Sequence, residues 1–324
     1  MNKKENTSKK NSPWIEKYRP SQFQQIVLEP TNRTIFENIL KKRKFPHMLF
    51  YGPPGVGKTT TANNLIKEYQ TVFYNHSNSE TVIHLNASDE RGIDLIRSQI
   101  HQFVETNNMF EDGLKFVVLD EVDYMTKNAQ QALKNILQSY SNNVRFCLIC
   151  NYICKIDESL KNEFICVRFN QLPTQEIYLF IKSILKQEEL TLSDETIYAI
   201  QNIYRSDIRS MINFIQLHQY DTNIYDYLMV DSLFEELHNL ILVNQKDLSP
   251  ILNWVYEKSK RCNLDIKTII NQYFNYMIRV HKKYVQPQFL NIAETILHNS
   301  DTNNEIFLNY FVCQVNAYYI KIQN

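Results

Sequence analysis

Glycine is scarce in this chain, since its 324 residues contain only five. Cysteine is scarce as well, and six thiols spread from Cys147 to Cys313 are too few for the disulfide framework of a small secreted protein. No stretch approaches the ~20 consecutive apolar residues of a membrane span, and the polar opening segment has no apolar core of a secretory signal. These absences predict an intracellular protein that is neither secreted nor anchored in a membrane.

Neither sign of charge dominates, because 35 Lys and Arg residues balance 35 Asp and Glu residues. Any contact with nucleic acid must therefore come from a local basic patch. A hydrophobic content of 44% is enough to build more than one core, which excludes a disordered chain. The length predicts two or three domains of ~100–200 residues each.

The few glycines are clustered: Gly52, Gly55 and Gly57 fall within six positions. The stretch 52–59 reads GPPGVGKT, which fits the phosphate-binding pattern G-x-x-x-x-G-K-[ST] between an apolar run and a helical pattern. In such a loop the backbone N–H groups point at phosphate oxygens, Lys58 reaches the outer phosphates and the Thr59 hydroxyl binds Mg²⁺. A glycine-rich turn before a helix is the weaker alternative. The residues predicted to bind nucleotide here are Gly52, Pro53, Pro54, Gly55, Val56, Gly57, Lys58, Thr59 and Thr60.

An acidic strand end supplies the expected partner of this loop. The run 115–119 is continuously apolar after Lys115, as in a strand buried on both faces, and it ends in Asp120 and Glu121. Asp120 is predicted to hold Mg²⁺ and Glu121 to polarise the water that attacks the γ-phosphate. The alternative is an acidic strand terminus that only caps the following helix.

Further apolar runs at 82–86, 144–151 and 165–169 alternate with helical patterns, which predicts a parallel βα sheet. Asn151 ends one of these strands, where its amide could reach the γ-phosphate or the attacking water, although a plain turn residue is the alternative. Cys147 and Cys150 lie three apart on the same predicted strand, so their side chains point to opposite faces and a zinc site with Cys154 and Cys166 is not favoured.

Several ordered segments together resemble the replication factor C small subunits, which are AAA+ clamp-loader ATPases. The segments are Trp14–Pro20, Pro46–Gly55, Leu85–Ile93, Asp120–Asp123, Cys150–Tyr152 and Ser206–Arg209. Such subunits form a pentameric spiral that uses ATP to open a ring-shaped sliding clamp and place it on a primer–template junction. The resemblance implies a hetero-pentamer with other clamp-loader subunits, a sliding clamp and primer–template DNA as partners, ATP and Mg²⁺ as cofactors, and a location at sites of DNA replication, in the nucleus if the cell is eukaryotic.

The resemblance also implies roles for residues outside the phosphate loop. Ile15 and Val27 match positions that line the adenine, and Tyr18 and Arg19 match the entrance to that pocket. Asn151 matches sensor 1, which contacts the γ-phosphate from the sheet.

Arg209 matches sensor 2, an arginine of the helical lid that reports the γ-phosphate; without the resemblance it would read as a solvated helix charge. For DNA, the matching positions are Arg97 and Lys134, which are expected to touch phosphates rather than base edges. The family usually has a second basic residue where Asn135 stands, and a solvated helix face remains the alternative for Lys134.

One departure from the family concerns the arginine finger that each subunit offers to its neighbour's ATP site. The family has Ser-Arg-Cys where this chain has Asn162-Glu163-Phe164. A carboxylate facing a γ-phosphate would repel it. Lys161 is offset from the finger position, and Arg168 belongs to the next strand, so neither is a good substitute.

Beyond Phe169 the pattern becomes helical, with a capping box predicted at Thr174–Ile177 and helix starts at Ser193 and Ser206. The predicted fold is therefore an α/β P-loop AAA+ ATPase core, with a five-stranded parallel sheet and flanking helices, followed by an all-α lid and an all-α collar. The predicted boundaries are a disordered basic leader over 1–13, the ATPase domain over 14–171, the lid over 172–222 and the oligomerisation collar over 223–324.

These observations predict a clamp-loader subunit that binds and hydrolyses ATP. One alternative is a structural subunit that never hydrolyses its nucleotide. The others are another AAA+ ATPase of DNA replication or repair and a small-molecule kinase, although the helical C-terminal third offers no obvious phosphoacceptor pocket.

Overall fold

The structure is a computed structural model, and it describes residues 12–74, 79–88, 93–105, 113–140, 143–221, 223–244, 247–298 and 304–323. Side chains of residues 79, 93–97 and 323 are not described. The chain divides into two compact units, Met1–Gln219 and Tyr220–Asn324. Of the predicted basic leader, residues 1–11 lie outside the described residues.

The first unit is built on a five-stranded sheet in the order β2-β3-β4-β1-β5, with every neighbouring pair parallel. Continuous apolar runs form the central strands because both of their faces are buried, as the phenylalanines of β1, β3 and β4 are. The predicted five-stranded parallel sheet is confirmed. The strands are β1 Met48–Tyr51, β2 Val82–Asn86, β3 Lys115–Asp120, β4 Val144–Cys150 and β5 Ile165–Arg168.

Helices connect and follow these strands, because parallel neighbours can be joined only by a crossover. The helices of the first unit are α1 Trp14–Lys17, α2 Pro30–Lys42, α3 Lys58–Tyr74, α4 Ile93–Glu105, α5 Lys127–Ser139, α6 Glu158–Lys161, α7 Thr174–Gln187, α8 Asp194–Tyr204 and α9 Ile208–Leu217.

Side-chain caps fix several of these helix starts. Ser193 caps α8 by accepting a hydrogen bond from the Thr196 N–H, and Asp207 caps α9 by accepting from Ser210. The capping box predicted at Thr174 is wrong, because α7 begins at Thr174 itself and the preceding Pro173 makes no side-chain cap. Thr174 is already helical, so its hydroxyl is one position too late to cap.

The second unit is helical. In the described part of this unit, every helix contributes fully buried aliphatic or aromatic side chains to the core, among them Leu237, Val255, Tyr273, Phe289 and Phe311. The helices are α10 Asp231–Val243, α11 Ser249–Cys262, α12 Ile266–Val280, α13 Pro287–Leu297 and α14 Asn304–Gln323.

The division between the units falls close to the predicted boundary between lid and collar at residues 222 and 223, of which residue 222 is outside the described residues. The separate lid domain over 172–222 stays a prediction, since α7–α9 belong to the first unit. Among the helices of the described ranges, none combines the length and the apolar character needed to cross a bilayer.

Candidate nucleotide-binding site

The loop between β1 and α3 has a backbone that requires glycine. Gly52, Gly55 and Gly57 have φ values of 143°, 76° and 85°. A Cβ at Gly52 would lie 1.9 Å from the Phe169 carbonyl oxygen, and one at Gly55 would lie 1.8 Å from Asp207 Oδ1. The clustered glycines therefore let the loop curl while β5 and the start of α9 approach it closely.

Lys58 is buried at the first position of α3, and its ammonium group donates three hydrogen bonds. Its Nζ lies 2.8 Å from the carbonyl oxygens of Gly52 and Pro53 and 2.8 Å from Asn151 Oδ1. Burial lowers the pKa of Lys58, and the nearby Asp120 carboxylate opposes part of that shift. Two residues predicted from separate segments, Lys58 and Asn151, are thus in direct contact.

The predicted metal-binding pair is also in contact. Thr59 donates a hydrogen bond from Oγ1 to Asp120 Oδ2 at 2.6 Å, and the Glu121 N–H donates to Asp120 Oδ1 at 2.9 Å. A hydroxyl and a carboxylate are hard oxygen ligands of the kind Mg²⁺ takes beside nucleotide phosphates. These residues therefore fit the expected metal.

Glu121 has a strained backbone, with φ 57° and ψ 36° in the left-handed region. This conformation costs a non-glycine residue about 1–2 kcal/mol. Such strain concentrates at functional sites, where the surrounding structure holds it. The left-handed conformation of Glu121 turns the chain sharply after β3. Asp120 and Glu121 both line the cavity.

A cavity of about 270 Å³ lies over the loop. The predicted residues that line it are Ile15, Tyr18, Arg19, Val27, Pro54, Gly55, Val56, Gly57, Lys58, Thr59, Thr60, Asp120, Glu121, Asn151 and Arg209. Gly52 and Pro53 are not among the lining residues, and their carbonyl oxygens instead hold Lys58. The structure thus brings nearly all predicted nucleotide-site residues together.

The cavity has further walls that the sequence did not indicate. Phe180 comes from α7, and Ile208 and Ile212 come from α9. Glu16 and Ile26 also line it. The apolar spacing on α9 is that of any amphipathic helix, so it carried no signal of a ligand.

Glu188, just after α7, fastens the N-terminal segment to the end of α7. Its carboxylate accepts hydrogen bonds from Lys17 Nζ at 2.5 Å and from the Tyr18 hydroxyl. Burial raises the pKa of Glu188, but these two hydrogen bonds outweigh it and hold the pKa below its usual value. Because Tyr18 lines the cavity, Glu188 helps to fix one of its walls.

Arg209 is exposed at the second position of α9 and lines the cavity. The same helix is capped by Asp207, the residue that abuts Gly55. The position of Arg209 is therefore tied to the phosphate loop by a short-range steric contact.

Of the predicted DNA contacts, Lys134 is not among the residues that line this cavity. Lys134 is half-buried on α5, and Asn135 beside it is exposed. Arg97 lies on α4, but its side chain is outside the described part of the structure.

The finger position lies near the amino ends of β1, β4 and β5. Glu163 accepts a hydrogen bond from Gln138 Nε2 at 3.0 Å and lines a cleft of about 410 Å³ with His47 and Arg145. Lys161 forms an ion pair with Glu158 at 2.5 Å. The weak candidate for a replacement finger is thus engaged within its own helix.

Comparison with known proteins gives consistent matches. Residues 48–171 match the model of the ATPase family associated with various cellular activities (AAA). The chain is 39% identical over 212 residues to replication factor C subunit 3 of Saccharomyces cerevisiae, covering 65% of this chain and 61% of that protein. It is 35% identical over 210 residues to human replication factor C subunit 5, covering 65% of this chain and 61% of that protein. The matched part thus spans less than two thirds of these relatives.

Among solved structures, the chain resembles the RuvB Holliday junction branch migration motor of Thermotoga maritima. The TM-score is 0.51, and the match covers 81% of this chain and 91% of that one. At 15% identity this likeness supports the fold alone.

Proposed function

Because the chain belongs to the replication factor C small-subunit family of AAA ATPases, we propose that it is a clamp-loader subunit. In this role it binds ATP with Mg²⁺ and uses ATP hydrolysis, with partner subunits, to load a ring-shaped sliding clamp onto primer–template DNA. The observation that carries the proposal is the convergence of Lys58, Asn151, Thr59 and Asp120 on one cavity.

The residues at the phosphate end act by position and charge. Backbone N–H groups of the loop cradle the phosphates, and the Lys58 ammonium moves its hydrogen bonds from the loop carbonyls to the outer phosphates. Thr59 and Asp120 would hold Mg²⁺, which would supply positive charge against the charge that develops on the phosphates. Glu121 orients and deprotonates the attacking water, and Asn151 fixes the γ-phosphate from the neighbouring strand.

The remaining walls of the cavity serve the base and the lid. Ile15 and Val27 give apolar contact to the adenine, while Tyr18 and Arg19 shape the entrance. Arg209 approaches the γ-phosphate from α9, so the lid helices respond to the presence of ATP. DNA phosphates bind Arg97 and Lys134.

Glu163 at the finger position implies an asymmetric assembly. A neighbour's ATP site that faced this carboxylate would lack the positive charge that speeds phosphoryl transfer by about 10³–10⁵-fold in well-studied cases. We therefore place this subunit at an end of the pentamer or beside a subunit with a degenerate ATP site.

The test is reconstitution with partner subunits captured on the tagged full-length chain. The proposal predicts ATPase activity that rises when sliding clamp and primer–template DNA are added together. Captured partners without any stimulated turnover would favour the structural, non-hydrolysing subunit. ATP turnover with no captured clamp-loader subunit would favour a different AAA+ ATPase.

A further inference from the structure

Two exposed tyrosines each lie close to the same lysine, and none of these three residues lines the ATP cavity. Tyr124 and Tyr152 are 61% and 58% exposed. The Lys155 ammonium nitrogen lies 5.2 Å from the centroid of the first ring and 5.1 Å from that of the second. With Lys127 and Lys134 of α5, these residues are called the tyrosine–lysine patch.

Buried polar groups hold the backbone under the patch. Asp123 Oδ2 accepts the Tyr152 N–H at 3.3 Å. Gln130 donates to the carbonyl oxygens of Met125 at 3.2 Å and Lys155 at 3.1 Å, and accepts the Asp157 N–H at 2.7 Å. The two loops that carry the tyrosines are thus fastened to each other and to α5, so a ligand that lies on them orders little backbone.

The charge of the patch is positive. Lys127 and Lys134 both act on the Asp157 carboxylate, whose pKa is lowered first by its hydrogen bonds with Ser159 and then by these two lysines. Two ammonium groups therefore act on one carboxylate, and the Lys155 ammonium adds a third positive charge to the patch. Lys127 and Lys134 are seven residues apart, or about 10 Å along the helix axis, so they lie on the same face of α5.

This composition distinguishes between kinds of partner. The buried centre of a protein–protein interface is depleted of lysine. A basic track combined with accessible aromatic rings is instead typical of surfaces that bind single-stranded nucleic acid, where bases stack on the rings and lysines follow the phosphates. We propose that the tyrosine–lysine patch binds a single strand of nucleic acid, with bases stacked on Tyr124 and Tyr152.

The proposal rests on the DNA-dependent function proposed above and adds to it a single-strand site that reads no sequence. Its position connects it to the ATP site through the chain: Tyr124 follows Glu121 by three residues, and Tyr152 is adjacent to Asn151. A strand on the patch therefore rests on the two loops that carry the proposed base and sensor 1.

The test is fluorescence anisotropy with a labelled oligothymidylate of about 16 nucleotides, the upper end of single-strand site sizes. The full-length chain with Mg·ATP should bind it. Replacing both rings, Tyr124→Ala with Tyr152→Ala, should weaken binding about tenfold or more, since each stacked base contributes a factor of about 5–150. Phenylalanine at both positions should keep affinity within about twofold. Tyr220→Ala, at a tyrosine that is 92% exposed, is the matched control and should change nothing.

Salt dependence tests the lysines. Lys155→Ala should reduce the slope of log affinity against log salt by about 0.7, and Lys186→Ala, at an exposed lysine of α7, should leave it unchanged.

Wild-type chain that binds ATP but no oligonucleotide would overturn this proposal and leave the ATP site intact. Equal oligonucleotide binding by the double alanine variant would also overturn it. If that variant bound oligonucleotide normally but failed to capture partner subunits, the patch would be a protein interface instead. Loss of ATP binding in the wild type would count against the proposed function.

Discussion

Replacing Gly55 with alanine tests how closely Asp207, at the start of α9, approaches the phosphate loop. A Cβ there would lie 1.8 Å from Asp207 Oδ1 and 2.4 Å from its Cγ, at a φ of +76°. Gly57 offers a matched control, because its φ is +85° and no atom of the described structure lies within 4 Å of its added Cβ. Both alanines suffer a similar backbone penalty, and only Gly55→Ala also collides with Asp207.

The expected magnitudes follow from these contacts. A left-handed φ costs alanine about 1–2 kcal/mol of unfolding free energy at either position. Moving Asp207 also weakens the cap of α9, where it accepts from Ser210 N at 3.1 Å and Ser210 Oγ at 2.7 Å. Losing such a cap costs about 1 kcal/mol. We therefore expect about 1–2 kcal/mol for Gly57→Ala and about 2–3 kcal/mol for Gly55→Ala.

Thermal unfolding of the nucleotide-free chain measures the difference. For a unit of this size 1 kcal/mol shifts the midpoint by about 2–4 °C, so Gly55→Ala should melt that much below Gly57→Ala. Asp207→Ala should lower the melting temperature of the Gly55→Ala variant less than that of the wild type. In the Gly55→Ala variant it removes the carboxylate that collides with the new Cβ, so relief of the collision offsets part of the lost cap. Equal melting of the two glycine variants would refute the contact.

Three further predictions concern catalysis, the base pocket and pH. Glu121→Gln should keep ATP affinity and lose turnover about 10²-fold or more, measured as phosphate release; an unchanged rate would remove Glu121 as the base. Glu188→Ala should weaken ATP binding about tenfold, because the charge-assisted hydrogen bonds that fix the wall beside the base are lost, whereas Glu195→Ala at an exposed position should not. Burial lowers the pKa of His238 from 6.5 to about 4, so the unfolded chain binds more protons in this window. The unfolding free energy should therefore fall as pH drops from about 6.5 to 4, and His238→Gln should flatten that dependence; an identical pH profile would contradict the burial argument.

The features that sequence predicted well are contiguous ones. The phosphate loop occupies eight consecutive positions, and each central strand is a single, mainly apolar run. Both can therefore be recognised in the sequence without knowledge of the fold. Asp120 ends β3, Glu121 follows it and Asn151 follows β4, and the carboxyl ends of parallel strands meet at one edge of a sheet. Their convergence was therefore predictable.

The features that sequence missed depend on contacts between distant segments. In the sequence, Phe180 and Ile212 look like core residues of amphipathic helices. In the structure they also line the cavity. Glu188 lies in the polar run Gln187–Glu189, which is typical of a solvent-exposed segment. In the structure it accepts hydrogen bonds from Lys17 and Tyr18, which are about 170 residues away in the sequence. The capping box at Thr174 failed for a local reason, because a one-residue shift of the helix start removes the cap.

The most direct test of the account is calorimetric titration of Mg·ATP into the full-length chain and its Lys58→Ala variant, with Lys67→Ala as a control at an exposed position of the same helix. A buried ammonium that turns from loop carbonyls to phosphates makes charged hydrogen bonds, so its loss should weaken ATP binding by about 10- to 150-fold or more. We expect one ATP per chain for the wild type and for Lys67→Ala, with affinity largely lost in Lys58→Ala. Equal ATP affinity in all three proteins, or no binding by the wild type, would contradict it.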